Sequence, residues 1–108
     1  MGSKQNPILI ELNNRMKDLY GSRLVSMVLY GSQARGDAGA DSDIDVLVVL
    51  KGTVNPGDEI ARSGPITAPL SLAHDVVISC AFVSDARFSS EQSPFLLNVR
   101  REGVPLWP

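Results

Sequence analysis

Leu24-Val25-Ser26-Met27-Val28-Leu29-Tyr30 and Ile44-Asp45-Val46-Leu47-Val48-Val49-Leu50 are two apolar runs rich in β-forming residues. Between them lies Gly31-Ser32-Gln33-Ala34-Arg35-Gly36-Asp37-Ala38-Gly39-Ala40-Asp41-Ser42-Asp43. Runs of this length and composition read as buried strands. The small, polar, glycine-bearing stretch from Gly31 to Ala40 reads as a turn, with room for a short helix starting near Ser32. Loops at the ends of buried strands are where function concentrates.

Working outward, Pro7 to Tyr20 reads as a helix: Pro7 suits a first turn, and Ile8, Leu12, Met16 and Leu19 recur at helical spacing. Gly21 ends it. Lys51 to Pro69 holds three prolines and three glycines, so only short helical pieces are expected there, one of them starting at Asn55-Pro56. Asp75 to Val83 is predicted as the third strand, and Ser84-Asp85 as a helix cap. In the tail from Pro94, Phe95, Leu96 and Val99 stand at helical spacing, with Gly103 as a stop. This order of elements is an α/β or α+β pattern with one small sheet.

The chain has 108 residues, which predicts a single domain over 1–108. Its apolar fraction of 44% and charged fraction of 20% are those of an ordinary globular domain. With a net charge of −2 there is no global positive field, so a long polynucleotide is not expected as a ligand, while a local anion site stays open. No apolar stretch approaches membrane-spanning length, and the N-terminus lacks a signal-peptide apolar region. Cys80 is the only cysteine, so no intrachain disulfide can form, which fits a reducing cytoplasm. Its place within Val76 to Val83 makes it a small buried hydrophobe.

Asp43 and Asp45 are the first candidates for chemistry. Residues two apart on a strand share a face, so both carboxylates meet at the mouth of an apolar strand and repel each other. A divalent cation relieves that repulsion, and oxygen-only ligation suits Mg²⁺ or Mn²⁺. Asp-x-Asp alone is weak evidence, since a solvated strand end looks the same. Gly31-Ser32 adds to it. A glycine directly after a strand permits close backbone approach, and Ser32 offers a hydroxyl and an N–H near a helix start, where phosphate binds well. Arg35 can add positive charge. The plainer reading makes Ser32 a helix cap in a tight turn. Asp75 would be the third carboxylate if the second and third strands are neighbours, and otherwise a strand-end residue. Three carboxylates with triphosphate oxygens can hold two metal ions.

Two other motifs fail on single residues. Gly31 to Gly36 has the glycine spacing of a P-loop, but Asp37 stands where lysine is required. Asp41 to Asp45 opens like a calcium-binding EF-hand loop, yet Val46 replaces the obligatory glycine and Gly52 stands at the twelfth position in place of glutamate.

Gly31-Ser32, ten intervening residues, then Asp43-Ile44-Asp45 resembles the signature of the DNA polymerase beta-like nucleotidyltransferase superfamily. Leu29 to Ala38 and Ser42 to Asp45 are similar to its minimal nucleotidyltransferase (MNT) branch. The likeness extends more loosely through Asp75 to Val83 and to Arg100-Arg101-Glu102-Gly103. It implies a nucleotidyltransferase fold, with a small mixed β-sheet flanked by helices. It implies that Gly31 and Ser32 contact the triphosphate, and that Asp43, Asp45 and Asp75 are metal ligands, with Asp75 assisting the acceptor hydroxyl. Larger family enzymes add a helical acceptor domain. None is read here, so a second copy of the chain or a separate protein is expected to complete the pocket. The resemblance also implies a partner, since minimal members pair with small helical HEPN proteins in toxin–antitoxin systems.

The expected function is therefore metal-dependent transfer of a nucleotidyl group, AMP from ATP, to a hydroxyl on a partner protein. One alternative is an antitoxin that acts by contact alone. The other is a nucleotidyltransferase acting on a small molecule of the aminoglycoside type.

Overall fold

The structure, a computed structural model, describes residues 7–31, 34 and 43–107. Helix α1 is Pro7–Tyr20, as its spacing predicts. Its buried stripe is Leu9, Leu12, Met16 and Tyr20, while Leu19 is 38% exposed. The expected set thus lies slightly off the true face. Strands β1 (Leu24–Tyr30) and β2 (Ile44–Leu50) have the predicted bounds.

The expectation of only short helical pieces over Lys51 to Pro69 is corrected: α2 runs Pro56–His74, 19 residues, with Pro65 and Pro69 inside it. An interior proline loses a backbone hydrogen bond and costs about 3 kcal/mol, which is why the sequence argues against a long helix here. The helix holds because both its start and its inner face are anchored. The Asn55 side chain accepts from Asp58 N–H at 3.2 Å, Pro56 occupies the first turn, and Asp58 and Glu59 face the positive end of the helix dipole. Glu59, 4% exposed, accepts from the Tyr20 hydroxyl at 2.8 Å and from Arg62 Nε at 3.0 Å, with Arg23 3.7 Å away. Further along, Leu70 and Ile66 pack into the core.

Strand β3 is Ile78–Ser84, so it starts after the predicted Asp75. Asp75 instead terminates α2 as its C-cap. Helix α3 is Asp85–Ser90, capped by Ser84 as expected. Helix α4 is Pro94–Glu102, with Gly103 as its C-cap. Strand β4 (Val104–Trp107) was not predicted, because four residues including Pro105 carry no usable periodicity. Pairing with β1 makes it a strand.

The sheet order is β3-β2-β1-β4. β1 runs antiparallel to β2 and β4, and β2 runs parallel to β3, so the sheet is mixed. One face carries Met27, Leu29, Val46, Val48 and Phe82 against Leu12 and Met16 of α1 and Leu70 of α2. The other carries Val28, Leu47, Val49 and Val83 against Leu96 and Val99 of α4. β2 is covered on both faces, which explains the continuous apolar run from Val46 to Leu50. Arg100 donates to the main-chain carbonyls of Phe88 and, at 2.6 Å, of Glu91, tying α4 to the end of α3. Among the described residues no helix is long and apolar enough to cross a membrane.

Candidate active site

Asp45 is the second residue of β2 and lies directly opposite Tyr30, the last residue of β1. On its other side it is in register with Ser79 of β3. Strand alternation puts Asp45 on the face of Leu47 and Val49, the α4 side. Asp43 precedes the strand by one residue and is exposed. Between the two aspartates, Ile44 N–H donates to the Val77 carbonyl at 2.8 Å, which fixes the start of β2 against the approach to β3.

Gly31 closes the other side. Its φ is +75°, and a Cβ built there would lie 2.7 Å from Asp45 Oδ2. Both facts require glycine: the backbone is left-handed, and a side chain would displace the carboxylate. The turn thus brings bare backbone against one oxygen of Asp45. Burial, and then the nearby charge of Asp43, holds the Asp45 carboxyl above its ordinary range. Burial likewise raises the Tyr30 hydroxyl, with Asp45 adding to the shift.

These observations bear on a metal. The charge of Asp43 disfavours ionisation of Asp45, and the two carboxylates form an oxygen donor set in which a divalent cation would relieve that repulsion. Among the described residues no three His, Cys, Asp or Glu stand close enough to hold an ion. A site of two carboxylates suits Mg²⁺, which commonly takes one or two carboxylates and completes its shell with water and substrate phosphate oxygens.

Asp75 is not gathered into that pair. It is exposed, has φ of 52°, and is the only non-glycine residue with positive φ among those described. It lies at the same end of the sheet, two residues before the Val77 carbonyl that bonds Ile44. Ser32 and Arg35 lie outside the described residues, as does most of the predicted turn. Ala34 is helical and packs against the core. Cys80 is a partly buried free thiol whose pKa burial raises to about 12, consistent with a packing role.

The sequence reading assigned no role to Tyr30 or Ser79, which flank Asp45. Tyr30 stood within the quoted motif beside Gly31. Ser79 could be found only through the parallel register. Phe95, placed by spacing with the buried Leu96 and Val99, is 44% exposed and meets the Tyr30 ring edge-on, with centroids 5.3 Å apart.

The fold is that of a nucleotidyl-transfer enzyme. The chain belongs to the nucleotidyltransferase domain family, whose profile matches residues 9–87. It is 35% identical over 98 residues, 90% of its own length and 92% of the relative's, to MJ0604, a candidate protein adenylyltransferase of Methanocaldococcus jannaschii. A second protein so described in that organism, MJ0141, is 32% identical over 74 residues, covering 67% of this chain and 72% of the relative. Among solved structures, a toxin–antitoxin with AMP-PNP superposes with a TM-score of 0.67 at 20% identity, covering 92% of this chain and 72% of that one. A candidate nucleotidyltransferase from Sulfolobus solfataricus gives 0.55 at 22% identity, covering 98% and 92%. At such identities the superpositions establish the fold.

Proposed function

We propose that the chain transfers AMP from ATP to a hydroxyl on a partner protein, with Mg²⁺ or Mn²⁺ held by Asp43 and Asp45. The observation that carries this reading is the carboxylate pair set against the backbone of Gly31, in which Asp45 is partly buried and unfavourably charged. In the reaction, the acceptor oxygen bonds to the α-phosphorus as the bond to the bridging oxygen breaks. Pyrophosphate leaves, and the hydroxyl gives up its proton. A metal ion there would supply charge stabilisation at the phosphate oxygens. Asp43 and Asp45 orient it, and Gly31 lets the phosphates approach the main chain. Asp75 enters as a further carboxylate at the same end of the sheet.

The description of MJ0604 and MJ0141 as candidate protein adenylyltransferases supports a protein acceptor. Two of the similar solved structures are toxin–antitoxin assemblies, one of them with AMP-PNP and one named MntA-HpeT. They support a toxin partner, for which a small helical HEPN protein is the proposed identity, and a nucleotide substrate. The test is to incubate the chain with Mg²⁺, labelled ATP and the protein encoded in the adjoining reading frame. Gain of AMP by that protein, seen by intact-mass spectrometry and abolished by EDTA, is the expected result. Neutralisation of an unmodified partner would instead make the chain a contact antitoxin.

A further inference from the structure

Beside the carboxylate pair a cavity of about 180 Å³ opens between the end of β1 and helix α4, lined by Tyr30, Gly31, Phe95, Asn98, Val99 and Glu102. The geometry points to this cavity as the seat of the nucleobase. The assignment rests on the nucleotidyl-transfer reading of Asp43 and Asp45.

Position comes first. Gly31 belongs both to the cavity wall and to the contact with Asp45, and Tyr30 lies opposite Asp45 in the sheet. A ligand with phosphates at the carboxylates can therefore continue into the cavity. Size comes next. The volume is below the roughly 300–1,000 Å³ of a site that encloses a whole drug-sized ligand, so it suits one part of a nucleotide.

The chemistry of the wall then selects the part. The Tyr30 and Phe95 rings meet nearly perpendicular, at 84°, and Phe95 keeps 44% of its surface exposed on a helix whose neighbouring Leu96 is buried. An open aromatic face is a stacking platform for a flat base. Asn98 and Glu102 are four residues apart on α4 and so share a side of the helix. Asn98 Oδ1 accepts from Arg101 Nη2 at 2.9 Å, so the asparagine's remaining recognition group is its amide N–H. Glu102 carries an acceptor carboxylate, one oxygen of which lies 3.6 Å from Arg101 Nη2. Adenine, cytosine, guanine and uracil each present a donor beside an acceptor on the Watson–Crick edge, so this pair can hold the edge of a base without choosing among the four.

Calorimetry in Mg²⁺ with ATP, UTP and inorganic tripolyphosphate tests the assignment on the folded full chain. Wild type should bind ATP at least about tenfold more tightly than tripolyphosphate, the gain that base stacking supplies. Phe95→Ala should lose that gain while leaving tripolyphosphate binding unchanged, and Phe95→Trp should keep it. Asn98→Ala should weaken ATP and UTP alike while leaving tripolyphosphate binding unchanged. Equal affinity of wild type for ATP and tripolyphosphate, or ATP affinity untouched by Phe95→Ala, would overturn the base pocket. Asp43→Asn should weaken ATP and tripolyphosphate alike. Failure of that arm alone counts against the metal-site reading, and failure of the Phe95 arm counts against the base pocket alone.

Discussion

Gly31 and Asp45 are juxtaposed so tightly that one methyl group on the glycine would sit 2.7 Å from Asp45 Oδ2. Gly31→Ala therefore does two things. It places an L side chain at φ +75°, costing about 1–2 kcal/mol. It also pushes the carboxylate aside, and a displacement of that size at a reacting centre lowers rate on the order of a hundredfold. A thermal melt together with an AMP-transfer assay separates the two effects. Wild-type transfer by a folded Gly31→Ala protein would show that Asp45 need not stay where Gly31 puts it.

Asp43→Asn and Asp45→Asn should each lose nearly all transfer while staying folded, and the double variant should be little worse, because groups acting as one unit are not additive. The stability sign follows from the raised Asp45 carboxyl. A carboxyl whose folded pKa lies above its unfolded value near 3.8 disfavours the fold once ionised. At neutral pH Asp45→Asn should thus melt no lower than wild type. Its advantage should shrink as pH falls through the folded pKa of Asp45 toward 3.8. Melts of both proteins across that window check this, and a collapsed fold in both single variants would make the aspartates structural.

Glu59 should behave in the opposite sense. Burial alone would raise its carboxyl, but the Tyr20 hydroxyl and the Arg62 and Arg23 guanidiniums hold it below the usual range. Its contribution is fully present above the unfolded value near 4.5 and is lost as pH falls through the lower folded value. Glu59→Gln should cost about 1.5–3 kcal/mol at neutral pH, as expected for hydrogen bonds to a charged group, and should flatten the acid limb of the melting curve. Tyr20→Phe, which removes one donor, should cost less. Equal acid sensitivity in wild type and Glu59→Gln would contradict this account.

Asp75 occupies a left-handed position that glycine fills more easily. Asp75→Gly should raise stability by about 0.5–1 kcal/mol. If the carboxylate serves transfer, the same variant should lose activity while its melting temperature rises. Unchanged transfer in the stabilised variant would leave Asp75 a surface cap.

Most of the fold was legible because its patterns are local. The Leu24–Tyr30 and Ile44–Leu50 runs declare themselves by composition, and Ser84 and Gly103 by cap chemistry. What escaped depends on contacts far apart in sequence. Nothing in Lys51 to Pro69 announces that Tyr20 and Arg23 will anchor Glu59 and so help hold a helix through two prolines. Val104–Trp107 is a strand only because β1 offers it an edge. Asp43 and Asp45 were readable from period-two spacing. The Phe95 wall was not, because helical spacing groups Phe95 with Leu96 and Val99 and cannot say which of the three faces solvent.

β2 and β3 are parallel, so the chain must travel the length of the sheet and come back before it can start β3. The return point is set by the Ile44–Ile78 register and the Val77 carbonyl, not by the path between. The crossover therefore works as a tether with fixed ends. Residues added at Gly52-Thr53, both exposed, should lengthen the excursion without shifting where it lands, since each doubling of a flexible loop costs only about 0.6 kcal/mol. That makes the far end of the sheet a place to graft a tag, a reporter or a second binding module, while the Asp45 end keeps its geometry.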